Sequence, residues 1–204
     1  MSFAVNPDIE KIYSWYRDGK PSAWSEPPHI SYFPKFPLLI KKLRARPEIK
    51  KILDVGCFTG YLLRWLQRHG GYECAGVDLQ KDLMFNLKKA AGPIKFEYGN
   101  AEKLPLADNE FDAACMMDTL EHCIDDKKAL SELERVVRPD GWIFLSLPRN
   151  DFYPDTSAEH VRMYDPPYLQ EIFGPRNAEI EPVDDEHARL QTFVTYKNTK
   201  PKEG

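Results

Sequence analysis

The sequence has no C-x-x-C pair, no H-x-x-x-H, no dense run of Lys and Arg, and no apolar stretch near the roughly 18 residues of a membrane span. Each absence removes a class of function. Without Cys/His ligand spacing, no metal site is expected. The four cysteines, Cys57, Cys74, Cys115 and Cys123, are expected as reduced and mostly buried thiols, since three fall within or beside apolar strand patterns. A formal net charge of -4 with no basic cluster gives no attraction to nucleic acid or to an anionic membrane, so neither is expected as a partner. The first residues, MSFAVNPDIEKIYSW, lack a basic segment followed by an apolar run, and a cytoplasmic location is expected. No internal repeat is evident.

What is present is alternation. The 204 residues suit one domain. Short apolar runs at 51–55, 73–78, 94–98, 111–116 and 142–147 read as buried strands. Helical patterns lie between them at about 60–69, 81–91 and 125–137, the last with Ala129, Leu130, Leu133, Val136 and Val137 as a stripe closed by Pro139-Asp140-Gly141. Such alternation predicts an α/β fold, a mostly parallel sheet with helices on both faces. A short helix at about 166–173 follows, then strands at 178–183 and 190–196. Too few residues separate these two for a parallel crossover, so they are expected as an antiparallel C-terminal hairpin, giving seven strands.

Ahead of the sheet, residues 6–18 read as a helix and 19–37 as a Pro- and aromatic-rich connection. With Tyr13, Trp15, Tyr16, Trp24, Tyr32, Phe33 and Phe36 in or beside it, that connection is a lid over a site or a strap packed on the sheet. The domain proper is expected over 38–197, and residues 198–204 read as a disordered tail.

ILDVGCFTGYLLRWL, residues 52–66, is a strand, a glycine turn and a helix. Such a turn points backbone N–H groups at the carboxyl edge of the sheet, where open α/β sheets bind ligands. Gly56 would let a ligand approach the main chain, and Gly60 would let helix and strand pack closely. Asp54 beside the turn would repel a pyrophosphate and suits a cationic ligand. Asp78, at the end of the second strand, stands where an acid accepts hydrogen bonds from both ribose hydroxyls. Together they favour a nucleoside carrying a positive group. Phe58 stands where a glycine would be expected. The benign expectation gives it a negative φ and a ring turned away from the ligand; a positive φ would strain it by roughly 1–3 kcal/mol.

With these residues the chain resembles the class I S-adenosylmethionine-dependent methyltransferases of small-molecule type, similar to those of ubiquinone and menaquinone biosynthesis. Their D-x-G-x-G-x-G motif is present as Asp54-Val55-Gly56-Cys57-Phe58-Thr59-Gly60, without the middle glycine. GVDLQ at 76–80, GNAEKLPLADNEFD at 99–112, DTLEH at 118–122 and ELERVVRPDGWIFLSLP at 132–148 extend the match over about residues 50–196. The resemblance implies a Rossmann-like fold and S-adenosyl-L-methionine as cofactor, with S-adenosyl-L-homocysteine as product. It places Asp54, the Gly56 main chain and Asp118 at the methionine end, Gly60 in the cofactor-binding turn, Asp78 on the ribose and Leu79 against the adenine face. Asn100, Ala101 and Glu102 fall at the adenine edge, although a polar turn alone would account for Asn100 and Glu102.

Transfer to a hydroxyl or an acidic carbon needs a base near the carboxyl edge, and His122 and His160 are the candidates. Helix-start packing is the alternative for His122; for His160 and Arg162 it is bonding to loop carbonyls. Asp165-Pro166-Pro167-Tyr168 imitates the amino-group motif of DNA adenine methyltransferases but falls after the fifth strand, where it reads as a helix cap. The favoured reading is methyl transfer to a small-molecule acceptor. Its rivals are a non-catalytic binder or regulator with the same fold and an NAD-type oxidoreductase, the latter weakened by Asp54 and the incomplete glycine pattern.

Overall fold

The structure, a computed structural model, describes residues 35–90, 92–148, 160–162, 164–183 and 191–199. The proposed helix at 6–18 and all of the 19–37 connection but its last three residues lie outside the described residues. Those last three belong instead to a helix, α1 (Lys35–Arg44), whose Pro37 falls in the first turn, where a missing N–H costs no helical bond.

Seven strands follow: β1 (Lys51–Val55), β2 (Glu73–Asp78), β3 (Lys95–Tyr98), β4 (Phe111–Met117), β5 (Val137–Pro148), β6 (Glu179–Val183) and β7 (Gln191–Lys197). They form one sheet in the order β3-β2-β1-β4-β5-β7-β6. The first five run parallel. β7 runs antiparallel between β5 and β6, so the final hairpin takes the sheet edge as its short spacing requires. Strand order reverses between β1 and β4, which opens a crevice at their carboxyl ends.

Period-2 alternation divides the core between the two faces. Ile52 packs with Leu39 and Leu43 of α1, with Leu62, Leu63 and Leu66 of α2 (Tyr61–Gly70), and with Met84 of α3 (Lys81–Ala90). Leu53 and Val55 face the other way. There they meet Ala129, Leu130, Leu133 and Val136 of α4 (Asp126–Val136) and Leu169, Ile172 and Phe173 of α5 (Pro166–Phe173). Lys42 of α1 bonds Glu179 of β6 at 3.1 Å and also pairs with Glu181, fastening that helix to the edge strand.

Most boundaries fall within one residue of the sequence reading; the start of β5 and residue 198 differ more. β5 starts at Val137, not 142, because Val137 pairs with Phe111 before the register shifts; Pro139, Asp140 (φ 65°) and Gly141 are an irregularity inside a strand and not a loop. α4 accordingly ends at Val136. Residue 198 is no part of a disordered tail: Asn198 is buried, and its side-chain amide donates to the carbonyls of Glu134 (2.9 Å) and Val137 (2.7 Å). Asp165 accepts from the Tyr168 amide at 2.9 Å with prolines in the first turn of α5, as its reading as a cap requires. All four cysteines are free and buried.

Candidate active site

The glycine turn after β1 is welded to the end of β2. The amides of Gly56 and Cys57 both donate to the Val77 carbonyl, at 2.8 and 3.2 Å, and that of Phe58 donates to Asp78 Oδ2 at 2.8 Å. These bonds hold Phe58 at φ 44°, so the expected negative φ is wrong: the residue keeps the left-handed backbone of the glycine it replaces. Phe58 is also among the residues that line the cavity.

Gly56 and Gly60 also have positive φ, 78° and 66°. At Gly56 an added Cβ would come within 2.1 Å of Thr119 Oγ1, so the close neighbour is the loop after β4. At Gly60 it would fall 2.4 Å from the Phe96 ring, the tight helix-to-sheet packing expected there.

The cavity, about 310 Å³, lies at the switch point. Val55, Gly56 and Phe58 at and after the end of β1, Val77, Asp78, Leu79 and Gln80 at and after the end of β2, and Gly99, Asn100 and Ala101 after β3 form one wall. Met117, Asp118, Thr119, His122 and Cys123 form the other. Of the residues singled out in the sequence, Gly56, Asp78, Leu79, Asn100, Ala101, Asp118 and His122 therefore share one cavity. Asp54, Gly60, Glu102 and His160 are not among the residues that line it.

Asp78 is held at two points, by the Phe58 amide and by the Gln80 amide, which donates to Oδ1 at 2.9 Å. A carboxylate has about four acceptor positions, so these amides leave capacity for a hydroxyl. Burial pushes its pKa up, opposed by the amides of Gln80, Phe58 and Leu79. Asn100 Oδ1 accepts from the Glu102 amide at 2.8 Å, making the polar turn foreseen as the alternative, while Asn100 still lines the cavity. The Glu102 carboxylate turns from the adenine-edge position and accepts from Ile124 (2.8 Å) and Asp125 (3.2 Å), which fixes the loop carrying His122.

Asp54 is buried, with Cys115 Sγ 3.5 Å from Oδ1. Burial lifts its pKa to about 7; the Cys115 bond and the Lys35 charge pull down, and Asp78 pushes up. Asp118, at φ 54°, accepts from Ser146 Oγ at 2.6 Å and from Gln191 Nε2 at 3.0 Å, and pairs with the buried ammonium of Lys35. Lys35, Ser146 and Gln191 carry no motif, and sequence reasoning missed all three. Lys35 falls in a stretch read as connection, and Gln191 reaches the site from a strand on the far side of β5. Among the described residues the resulting surroundings, three acids against one lysine, are electrostatically suited to a cation.

On the other side, the His122 and His160 rings meet edge to face with centroids 4.9 Å apart. The Val161 amide donates to the Glu121 carbonyl at 2.9 Å, which brings residues 160–162 against the 3-10 turn Leu120–His122. Arg162 bonds the Ile124 carbonyl and pairs with Asp126, a buried acid that also accepts from Tyr164 (3.1 Å) and Tyr168 (3.0 Å). Arg162 thus takes the loop-carbonyl role. No helix among the described residues is long and apolar enough to cross a membrane.

Residues 53–145, β1 to the middle of β5, match the family described as "Methyltransferase domain". The uncharacterized methyltransferase YcgJ of Bacillus subtilis is 30% identical over 142 residues, 66% of this chain and 55% of that protein. The ubiquinone biosynthesis O-methyltransferase of Thiobacillus denitrificans is 32% identical over 117 residues, 54% of this chain and 50% of that one. The chain thus spans about half the length of these curated relatives. Among solved structures, a SAM-dependent methyltransferase from Aquifex aeolicus has the same fold, with a TM-score of 0.64 at 18% identity over 94% of this chain and 99% of that one. S-adenosylmethionine is the cofactor of such proteins, and the doubly held Asp78 in an acidic crevice fits its ribose and cationic end. Sequence match and strand order together make residues 53–145 a methyltransferase domain with the fold of the S-adenosylmethionine-dependent methyltransferases.

Proposed function

We propose that the chain transfers a methyl group from S-adenosylmethionine to a small-molecule acceptor by in-line displacement, in the cavity between the tips of β1, β2 and β4. One observation carries the reading: on the cavity wall, the Phe58 and Gln80 amides aim the Asp78 carboxylate, which keeps acceptor capacity for a hydroxyl. The bound cofactor supplies an electrophilic methyl on sulfonium sulfur, and the chain's residues bind and orient.

Asp78 takes the two ribose hydroxyls, and Leu79, Asn100 and Ala101 border the adenine. The Gly56 main chain and Asp118 face the methionine end, with Asp54 behind them. Lys35 and Asp118, an ion pair in this structure, match the zwitterion of an amino acid in both signs: the lysine suits its carboxylate and the aspartate its ammonium. His122 is the imidazole on the cavity wall that can take a proton from an acceptor hydroxyl, and His160 packs against it. The ubiquinone O-methyltransferase likeness favours oxygen as the methylated atom.

A second reading has one observation in its favour. Phe58, with a left-handed backbone at a glycine's position, lines the cavity, which suits a protein that binds the cofactor without turning it over. Calorimetric titration with S-adenosylhomocysteine and NAD, followed by incubation of cell extract with labelled methyl donor, tests both. Binding of the homocysteine compound with label entering a small-molecule fraction supports methyl transfer. Binding without transfer to any fraction supports the second reading, and binding of NAD alone refutes both.

A further inference from the structure

The 3-10 turn Leu120–His122 and residues 160–162 bring together three side chains whose donor types belong to metal chemistry. One ligand atom from each of Glu121, His122 and His160 lies within 4.8 Å of the other two. Glu121 is buried, at 1% exposure, and His122 lines the cavity. We propose that Glu121, His122 and His160 form a site for one divalent transition-metal ion on the acceptor side of the cavity.

The geometry is close to what such an ion needs. Ligands about 2.0–2.2 Å from a tetrahedral ion sit roughly 3.4 Å from one another, so rotamer adjustments within about 1 Å close the site. Two imidazoles and one carboxylate form a borderline nitrogen and oxygen set, which suits zinc, cobalt, nickel, manganese or ferrous iron and not magnesium or calcium. Three protein ligands leave positions open, as in sites that bind a substrate or water. Because His122 is on the wall, those positions face the cavity. The neighbouring guanidinium, Arg162, is held by Asp126 and the Ile124 carbonyl. Glu102, bonded to the amides of Ile124 and Asp125, fixes the loop just beyond the first two ligands. Spacing rules could not find the site, because its third ligand is 38 residues beyond the second.

The inference rests on the proposal that this cavity is where the acceptor binds, and it names the acceptor class: a hydroxyl, phenolic or enolic, that can ligate an ion. On the ion such a hydroxyl is more acidic and loses its proton to solvent. Its oxygen then bonds the methyl carbon as the carbon–sulfur bond breaks, with that electron pair left on sulfur. The histidines hold the ion and need not take the proton themselves.

The test is titration of the full chain, stripped with chelator, with Co²⁺ read by visible absorption and with Zn²⁺ read by competition against a chromophoric chelator. Expected are one ion per chain, a nitrogen- and oxygen-ligated cobalt spectrum, and affinity lowered at least about 100-fold in both His160→Ala and Glu121→Gln, more than loss of an outer partner would cause. His160→Ala, in a loop and not among the residues that line the cavity, keeps the affinity for S-adenosylhomocysteine within two-fold and so shows that the fold is intact. Three results would overturn the site: no uptake at millimolar ion, unchanged affinity in both variants, or a thiolate-to-cobalt band placing the ion on cysteine. If the ion binds as expected but S-adenosylhomocysteine does not, the metal site stands and the cofactor reading falls.

Discussion

Replacing Asp54 by Asn tests whether the acid beneath the glycine turn is held near neutrality. Its pKa is lifted from an ordinary 3.8 to about 7, chiefly by burial. A carboxyl raised on folding binds more protons in the folded than in the unfolded chain across that window. Its contribution to stability is therefore lost as pH rises from about 4 through 7. Between pH 5 and pH 8 the loss amounts to about 2.6 kcal/mol, taking a full titration between the two values. Asn carries no charge at either pH, and any cost of its buried amide, about 1–3 kcal/mol, is the same at both. Urea unfolding of both proteins at pH 5, 6.5 and 8 measures the effect, provided the slopes with denaturant agree. The stability of Asp54→Asn relative to the parent should climb by roughly 2–3 kcal/mol from pH 5 to pH 8. A difference flat to within about 0.5 kcal/mol would mean that Asp54 ionises at its ordinary value, and the reasoning about its burial would fall. A cationic ligand favours the ionised form, so binding should also tighten as pH passes 7 in the parent and lose that dependence in the variant.

Other perturbations give separate checks. Asp78→Ala should weaken S-adenosylhomocysteine binding by about 2 kcal/mol in calorimetry, for two lost hydrogen bonds to a charged group; unchanged affinity would remove the ribose assignment. Phe58→Gly should relieve about 1–3 kcal/mol of backbone strain, offset by roughly 1 kcal/mol of glycine entropy, and should tighten cofactor binding; weaker binding would make the phenyl ring part of the pocket. Gly60→Ala combines a positive φ with a contact 2.4 Å from the Phe96 ring and should lower stability by about 2–4 kcal/mol in thermal unfolding. Lys35→Met should raise KM for the methyl donor more than it lowers kcat, and equal effects on both would take Lys35 away from the methionine end.

Most of the sheet was legible because its residues obey simple periods. Ile52, Leu53 and Val55 alternate faces, and the α4 stripe repeats at three and four residues. Reading stopped where local chemistry is overridden. Pro139, Asp140 and Gly141 look like a loop but lie inside β5, since pairing of Val137 with Phe111 outweighs the turn propensity. α1 was hidden because Phe36 and Pro37 continue an aromatic and proline-rich stretch, and a proline in a first turn breaks nothing. Asp78, Leu79, Asn100 and Asp118 could be placed in the cavity because each lies at a strand's end or within two residues of it. The rest depended on tertiary neighbours: whether Phe58 keeps a left-handed backbone, that Glu102 points to Ile124, and that His160 meets Glu121 and His122.

The most direct measurement is the difference density of a crystal of the full chain soaked in S-adenosylhomocysteine. Both ribose hydroxyls should lie within hydrogen-bonding distance of the two Asp78 oxygens, with the adenine beside Leu79 and the sulfur toward Asp118 and His122. Density for the compound at any other place, or a crevice that stays closed by the Phe58 ring at saturating compound, would contradict the assignment.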